Sequence, residues 1–201
     1  MFYQPIILHS CMDSKKLRKR YMQIMPHLNK ALQHVNDQLS DLPPSEFILE
    51  TNLKPYSSVK RKMLSDHEND PVALSDLVRG RLFFSEQFNF EDVEDILHKL
   101  FGDKIKKVDD KSKRKEEFGL EYHGIRHIDM NINGVNFELQ IMPIEFKPYK
   151  EFLHQIYDKF RDPKTREKLT DKQKEILRKV NNKLYKTLDQ QSKINREQSE
   201  D

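Results

Sequence analysis

An α+β domain, with a small mixed β-sheet flanked by long N- and C-terminal helices, is the fold class this chain of 201 residues predicts. Three observations carry that expectation. Asn133-Gly134 separates two alternating runs, IRHIDMNI and VNFELQI, and Asn-Gly is a strong hairpin signal because both residues accept the positive φ of a type I′ turn. Leu17, Tyr21, Ile24, Leu28, Leu32, Val35 and Leu39 recur at helical spacing and give residues 13–39 an apolar stripe. Ile176, Val180, Leu184 and Leu188 form a second stripe, expected to pack on the domain.

Taken in order, the first helix opens at Asp13-Ser14, and Pro43-Pro44 closes its region. Residues 45–51 are a short element of unassigned type. Ser57-Ser58 is expected to cap a short helix, 59–64, rich in Lys and Arg. A polar loop leads to Ser75-Asp76 and then to a strand through Arg81, Leu82, Phe83 and Phe84. Residues 90–101 read as an amphipathic helix stopped by Gly102. Residues 105–108 read as a strand, followed by a basic loop and the hairpin. Helices over 144–160 and 164–188 are separated by Asp162-Pro163, and the polar end of the chain reads as a disordered tail. The predicted organisation is an N-terminal helical region (1–44), a core (45–162), a C-terminal helix (163–188) and a tail (189–201).

Composition narrows the class. Charged residues make up 34% of the chain and apolar ones 36%, as in a soluble protein with long amphipathic helices. Lys and Arg total 36 against 33 Asp and Glu, and a net charge of +3 does not by itself point to nucleic acid. The run KIKKVDDKSKRK at 104–115 reads as a solvated loop or a phosphate-contacting one. Cys11, the single cysteine, excludes an internal disulfide and a Cys-based zinc site. No run approaches the ~20 apolar residues of a membrane span, and the patch at 2–8 is too short for a signal-peptide core. A cytoplasmic protein without a membrane partner is expected.

The two-residue turn fixes the hairpin register. Ile132 faces Val135, Met130 faces Phe137 and Ile128 faces Leu139 on one apolar face; Asn131 faces Asn136, Asp129 faces Glu138 and His127 faces Gln140 on the other. Carboxylates opposed in this way repel, so the polar face either is solvated or builds a site. Asp76 precedes a strand, and if that strand neighbours the hairpin, Asp76 and Glu138 can share one Mg2+, which takes one or two carboxylates and completes its shell with phosphate oxygens. Lys54, Ser58 and Lys62 recur every four residues and on a helix would share a face toward a polyphosphate. A solvated basic face is the alternative for these residues.

These motifs resemble, in order and spacing, the synthetase domain of the RelA/SpoT alarmone synthetases, a branch of the nucleotidyltransferase superfamily. The family's R-x-K-x-x-x-S-x-x-x-K is matched by Lys54, Ser58 and Lys62, with Asn52 at the Arg position. Its D-x-x-G-x-R is matched by Asp76 and Arg81, with Gly80 one place late. G-Y-x-S-x-H corresponds to the segment from Tyr122 to His127, where His123 stands at the Tyr position. E-[VIL]-Q-I-R-T corresponds to Glu138-Leu139-Gln140-Ile141-Met142-Pro143, with Met142 in place of Arg. The resemblance spans roughly residues 50–160. It implies a nucleotidyltransferase-type sheet and transfer of the β,γ-pyrophosphate of ATP to the 3′-hydroxyl of GTP or GDP, with Mg2+ as cofactor. Lys54, Ser58, Lys62 and Arg81 would hold ATP. Asp76 and Glu138 would bind the metal, Glu138 alternatively serving as the base. Tyr122, His123, His127 and Gln140 would meet the acceptor. With no helical hydrolase region of paired His-Asp ligands in the chain, synthesis alone is expected. Two alternatives follow from the departures: a toxin-like relative that modifies an adenine nucleotide or the 3′ end of tRNA, with an antitoxin as partner, or a degenerate nucleotide-binding domain. Association of copies through the terminal helices is a further expectation of the resemblance.

Overall fold

A computed structural model describes residues 14–65, 70–74, 76–110, 118–122 and 124–199. The expected acceptor contact His123, the loop 66–69, Ser75 and the second half of the basic run lie outside the described residues. The hairpin organises the sheet. Asn133 and Gly134 both have positive φ (53° and 83°), and the Gly134 N–H donates to Asn131 Oδ1 at 3.0 Å, which closes the turn. Strands β4 (Arg126–Ile132) and β5 (Val135–Pro143) then pair in the expected register, from Ile132 opposite Val135 to His127 opposite Gln140.

Three more strands complete the sheet: β1 (Phe47–Leu53), β2 (Val78–Phe84) and β3 (Ile105–Asp110). Their order is β1-β2-β5-β4-β3, with β2 parallel to β5 and every other pair antiparallel. The sheet is therefore mixed, and the strand that follows Asp76 does neighbour the hairpin. Because side chains alternate, Val78, Leu82 and Phe84 share a face with Phe137, Leu139, Ile128 and Met130. Onto that face pack α1 (Ser14–Leu39), through Leu17, Ile24, Leu28 and Val35, and α3 (Phe90–Phe101), through Val93, Leu97 and Phe101. Gly80 on β2 lies under this layer; a Cβ there would stand 2.7 Å from Leu139 Cδ1, so any larger residue would have to displace the Leu139 side chain. The opposite face carries Arg79, Arg81, Glu138, Gln140 and His127. Toward one end of it a smaller core of Phe83, Ile125, Met142, Phe146, Leu153, Tyr185 and Leu188 anchors α4 (Lys150–Arg161) and α6 (Asp171–Ser199).

Several expectations change. The element over 45–51 is an edge strand, β1. Helix α2 (Tyr56–Ser65) begins before Ser57-Ser58, so those serines lie inside its first turn and do not cap it. Residues 144–149 form 3-10 turns ahead of α4, where Pro148 lacks the N–H that an α-helix would donate to the carbonyl of Ile144. After Asp162, the short α5 (Pro163–Lys168) is separate from α6. The region from 189 expected as a disordered tail continues α6 as far as Ser199. There Ser192 is buried and Asn195 donates to Glu145 at 2.6 Å, so packing on the turn after β5 offsets the polar composition. Half of the C-terminal apolar stripe faces outward: Ile176 and Val180 are exposed, and the buried ridge runs through Asn181, Tyr185, Leu188 and Ser192.

Candidate active site

Alternation along β1, β2, β4 and β5 brings Glu50, Asn52, Arg79, Arg81, His127, Glu138 and Gln140 to the sheet face that α1 and α3 leave open. Helix α4 lends Lys150, His154, Tyr157 and Arg161, and α6 lends Asn181 and Tyr185. Together they enclose a cleft of about 480 Å³, a volume suited to a nucleotide-sized ligand.

One end is an anion surrounded by cations. Asp76, buried just ahead of β2, accepts from Lys54 Nζ at 2.6 Å on Oδ2, faces Lys62 Nζ at 2.9 Å from Oδ1, and pairs with the Arg79 guanidinium. Burial works to raise the Asp76 carboxyl, but the charge of Arg79 and the hydrogen bonds from Lys54 and Lys62 prevail and hold it far below the usual carboxylate range. Lys54 is itself almost fully buried. Its backbone is tied by its N–H to Leu77 O (2.8 Å) and by the Tyr21 hydroxyl to its carbonyl (2.7 Å), so this lysine is fixed at the strand–helix junction. Lys54 and Lys62 do converge, but on Asp76, not along one face of a helix: α2 starts after Lys54. Lys62 lines the cleft; Lys54 and Ser58 do not, Ser58 being half-buried in the first turn of α2 with its N–H on Pro55 O.

The other end is built around Glu138. Its Oε2 lies 3.3 Å from His127 Nδ1 and its Oε1 accepts from Gln140 Nε2 at 3.2 Å. Tyr122 extends the chain of contacts, its hydroxyl 3.2 Å from His127 Nε2 and its ring 5.8 Å from that of Tyr185. Burial tends to raise the Glu138 carboxyl, yet the His127 hydrogen bond and charge, with help from Arg79 and against Asp76, hold it below its ordinary value. Glu138 is thus ionised at neutral pH. Asp129 and Glu138 do stand opposite each other, but Asp129 lies in register with Lys107 on β3 and outside the cleft wall, while Glu138 is held by His127 and Gln140. Arg81 enters from β2, its Nη1 2.5 Å from Glu151 Oε1 on α4 and 4.0 Å from Glu50.

The structure thus gathers Lys62, Asp76, Arg81, Tyr122, His127, Glu138 and Gln140 into one cleft. It also supplies groups the sequence reading missed. Lys150 is buried, with Nζ donating to Gln140 Oε1 at 2.8 Å. Burial, then the charge of Arg81, pushes its ammonium down to about 7 against the pull of Glu138, Glu151 and Glu50. Its signal was a lysine on the ridge Lys150-Leu153-Ile156-Phe160, where helical spacing calls for an apolar side chain. Tyr185 is buried beside Tyr122, and burial holds its hydroxyl protonated.

Two carboxylates line this cleft, Asp76 from just ahead of β2 and Glu138 from the neighbouring β5, and Glu138 senses the charge of Asp76. Among the described residues no three His, Cys, Asp or Glu side chains cluster as a metal cage. Both carboxylates are engaged, Asp76 by Lys54, Lys62 and Arg79 and Glu138 by His127 and Gln140, and two carboxylates fall short of the four protein ligands of a structural zinc site.

A mixed five-stranded sheet with one face packed under helices and the other opening on an acidic and basic cleft defines the α+β class anticipated from the sequence. Comparison with solved structures makes that specific. Small alarmone synthetase 1 from Bacillus subtilis, bound to its product pppGpp, superposes with a TM-score of 0.63 at 16% identity, over 88% of this chain and 96% of that one. A GTP pyrophosphokinase family protein from Streptococcus pneumoniae gives 0.59 at 20% identity, covering 93% and 94%. The type VI effector Tas1, in complex with its immunity protein, gives 0.56 at 17% identity, covering 88% and 97%. The chain has the RelA/SpoT-type small alarmone synthetase fold. No protein-family model matches the sequence, and no curated protein matches it. No helix among the described residues is long and apolar enough to cross a membrane.

Proposed function

We propose that this chain is an ATP:nucleotide 3′-pyrophosphotransferase that makes a (p)ppGpp-type alarmone from ATP and GTP or GDP. The observation that carries the reading is the placement of Asp76, just ahead of β2, and Glu138, on the neighbouring parallel strand β5, along one cleft, with cations at one end and Tyr122 and His127 at the other. The fold shared with the pppGpp-bound synthetase supports it. In the reaction, the acceptor 3′-oxygen bonds to the β-phosphorus of ATP, the bond from that phosphorus to the bridging α,β-oxygen breaks, and AMP leaves. The acceptor proton passes to Glu138, which is ionised and held by His127 and Gln140 to receive it. Lys62, Arg79 and Arg81 offer charge to the polyphosphate, exchanging their present carboxylate partners for phosphate oxygens. Mg2+, held by Asp76 and Glu138, would neutralise phosphate charge when bound.

A second reading changes only the acceptor. Tyr122 is tied to His127 and packed against Tyr185, so it faces the cleft as one member of an aromatic pair. That arrangement, with the effector Tas1 among the fold relatives, favours a toxin-like relative acting on an adenine nucleotide or the 3′ end of tRNA. The test is transfer of label from γ-labelled ATP, with Mg2+, to GTP, GDP, ATP or bulk tRNA, alongside Glu138→Gln. Label on GTP or GDP, reduced at least ~100-fold in the variant, is the expected result. Label only on ATP or tRNA selects the second reading. Absence of transfer to all four by folded protein overturns both and leaves a nucleotide-binding domain.

A further inference from the structure

The resemblance places an arginine where this chain has Met142. Residue 142 stands two places after Gln140 on the same face of β5, so the cation expected there would lie beside the Gln140 amide. The structure shows a cation at that place, arriving from another element. Lys150 opens α4, is 9% exposed, and sets its Nζ 3.5 Å from Met142 Sδ and 2.8 Å from Gln140 Oε1. An amide has an acceptor end and a donor end. With a cation on its oxygen, Gln140 can present only its NH2 group to Glu138, and Nε2 does lie 3.2 Å from Glu138 Oε1.

We propose that Lys150 is a positioning residue of this cleft: its ammonium fixes the orientation of the Gln140 amide, and through it the Glu138 carboxylate, supplying from α4 the charge that Met142 leaves out of β5. The kinetic consequence rests on the pyrophosphotransferase reading; the placement of Gln140 does not.

The groups facing Lys150 are Arg81 from β2, Glu138 from β5, Glu50 from β1, and Glu151 and His154 from α4 itself. Burial and Arg81 outweigh the carboxylates, so the ammonium gives up its proton near pH 7. Below that pH Lys150 is a charged donor and the amide is locked. Above it the neutral amine can accept as well as donate, and Gln140 is released to turn. Turnover therefore declines as pH rises through about 7.

The experiment compares the wild type with Lys150→Met, Lys150→Arg and the double variant Lys150→Met/Met142→Arg. Melting curves run first: Lys150→Met replaces a buried cation with an apolar chain and should melt no lower than the wild type. In the transfer assay Lys150→Met should lower kcat roughly 10–100-fold with the KM for ATP little changed, the usual scale for losing a group that orients another. Lys150→Arg should keep turnover within about 5-fold, since the charge stays at the site, and erase the limb near pH 7. The double variant should regain at least about 10-fold over Lys150→Met. A Lys150→Arg variant as impaired as Lys150→Met, or one that keeps the limb, overturns the proposal, as does a Lys150→Met variant with wild-type turnover. A wild type that transfers nothing refutes the proposed function instead, and NMR then decides the placement. The side-chain NH2 signals of Gln140 should shift with a midpoint near pH 7 that vanishes in Lys150→Arg. Signals indifferent to both overturn the proposal whatever the chain catalyses.

Discussion

Replacing Asp76 by Asn takes the anion out of a cluster of three cations. Of these, Lys54 decides the magnitude: its side chain is 7% exposed, as is that of Asp76, and they are 2.6 Å apart. Removing one partner of a buried pair costs about 3–5 kcal/mol, because the other charge is left uncompensated away from water. Lys62 and Arg79 are more open, at 20% and 34%, so water screens much of what they lose. Burial already lowers the proton affinity of Lys54, and it can shed its proton once Asp76 is gone, which places the loss at the lower end, about 3 kcal/mol. For a chain of this size each kcal/mol moves Tm by ~2–4 °C, so Asp76→Asn should melt about 6–12 °C lower at pH 7 by circular dichroism. Adding Lys54→Met to Asp76→Asn should recover part of that drop, since the stranded charge disappears. The linkage has a definite sign. Asp76 titrates lower in the folded than in the unfolded chain, so its contribution is complete above the unfolded value near 4 and is lost as pH falls below it; Asp76→Asn should flatten that acid limb. A variant melting within 2 °C of the wild type, taken as about the smallest meaningful shift, or a double variant weaker than the single one, would refute the reasoning.

Two other substitutions test the frame around the cleft. Gly80→Ala brings a Cβ to 2.7 Å from Leu139 Cδ1 and 3.1 Å from the Phe137 ring, and should cost about 1–3 kcal/mol by urea denaturation. Asn89→Ala removes a capping box in which Asn89 and Asp92 each accept the other's backbone N–H at 2.9 Å; a loss of about 1 kcal/mol in the same assay is expected.

The hairpin and α3 were legible because their signals are local. Asn133-Gly134 fixes a register without help from the rest of the chain, and the periodicity of residues 90–101 ends at a glycine. That register alone put His127, Glu138 and Gln140 on one face. What could not be read locally was decided by packing. Lys54, Ser58 and Lys62 repeat at helical spacing, but the helix starts at Tyr56, and it is Asp76 that draws the two lysines together. Lys150 is separated from Gln140 by ten residues and a pair of 3-10 turns, and no period connects them. The residues after Leu188 look too polar to fold, yet their helix is sustained by contacts with the turn after β5.

Helix α6 takes hold of the segment that carries Tyr122 by its backbone. The Asn182 side chain accepts from Glu121 N–H at 2.9 Å and donates to Gly119 O at 3.1 Å; Asn181 donates to Glu121 O, and Arg178 to Phe118 O. Residue 120 makes a single bridge, and the helix serves the neighbouring peptide groups as a strand would. During synthesis on the ribosome, Asp76, Glu138 and Lys150 emerge well before Asn181 and Asn182 do. A growing chain can therefore form its sheet while Tyr122 still lacks its anchor, and the Tyr122 side of the cleft is braced only once residues 181 and 182 have been made. The order of residues thus delays the finished cleft until the helix that braces it has been made.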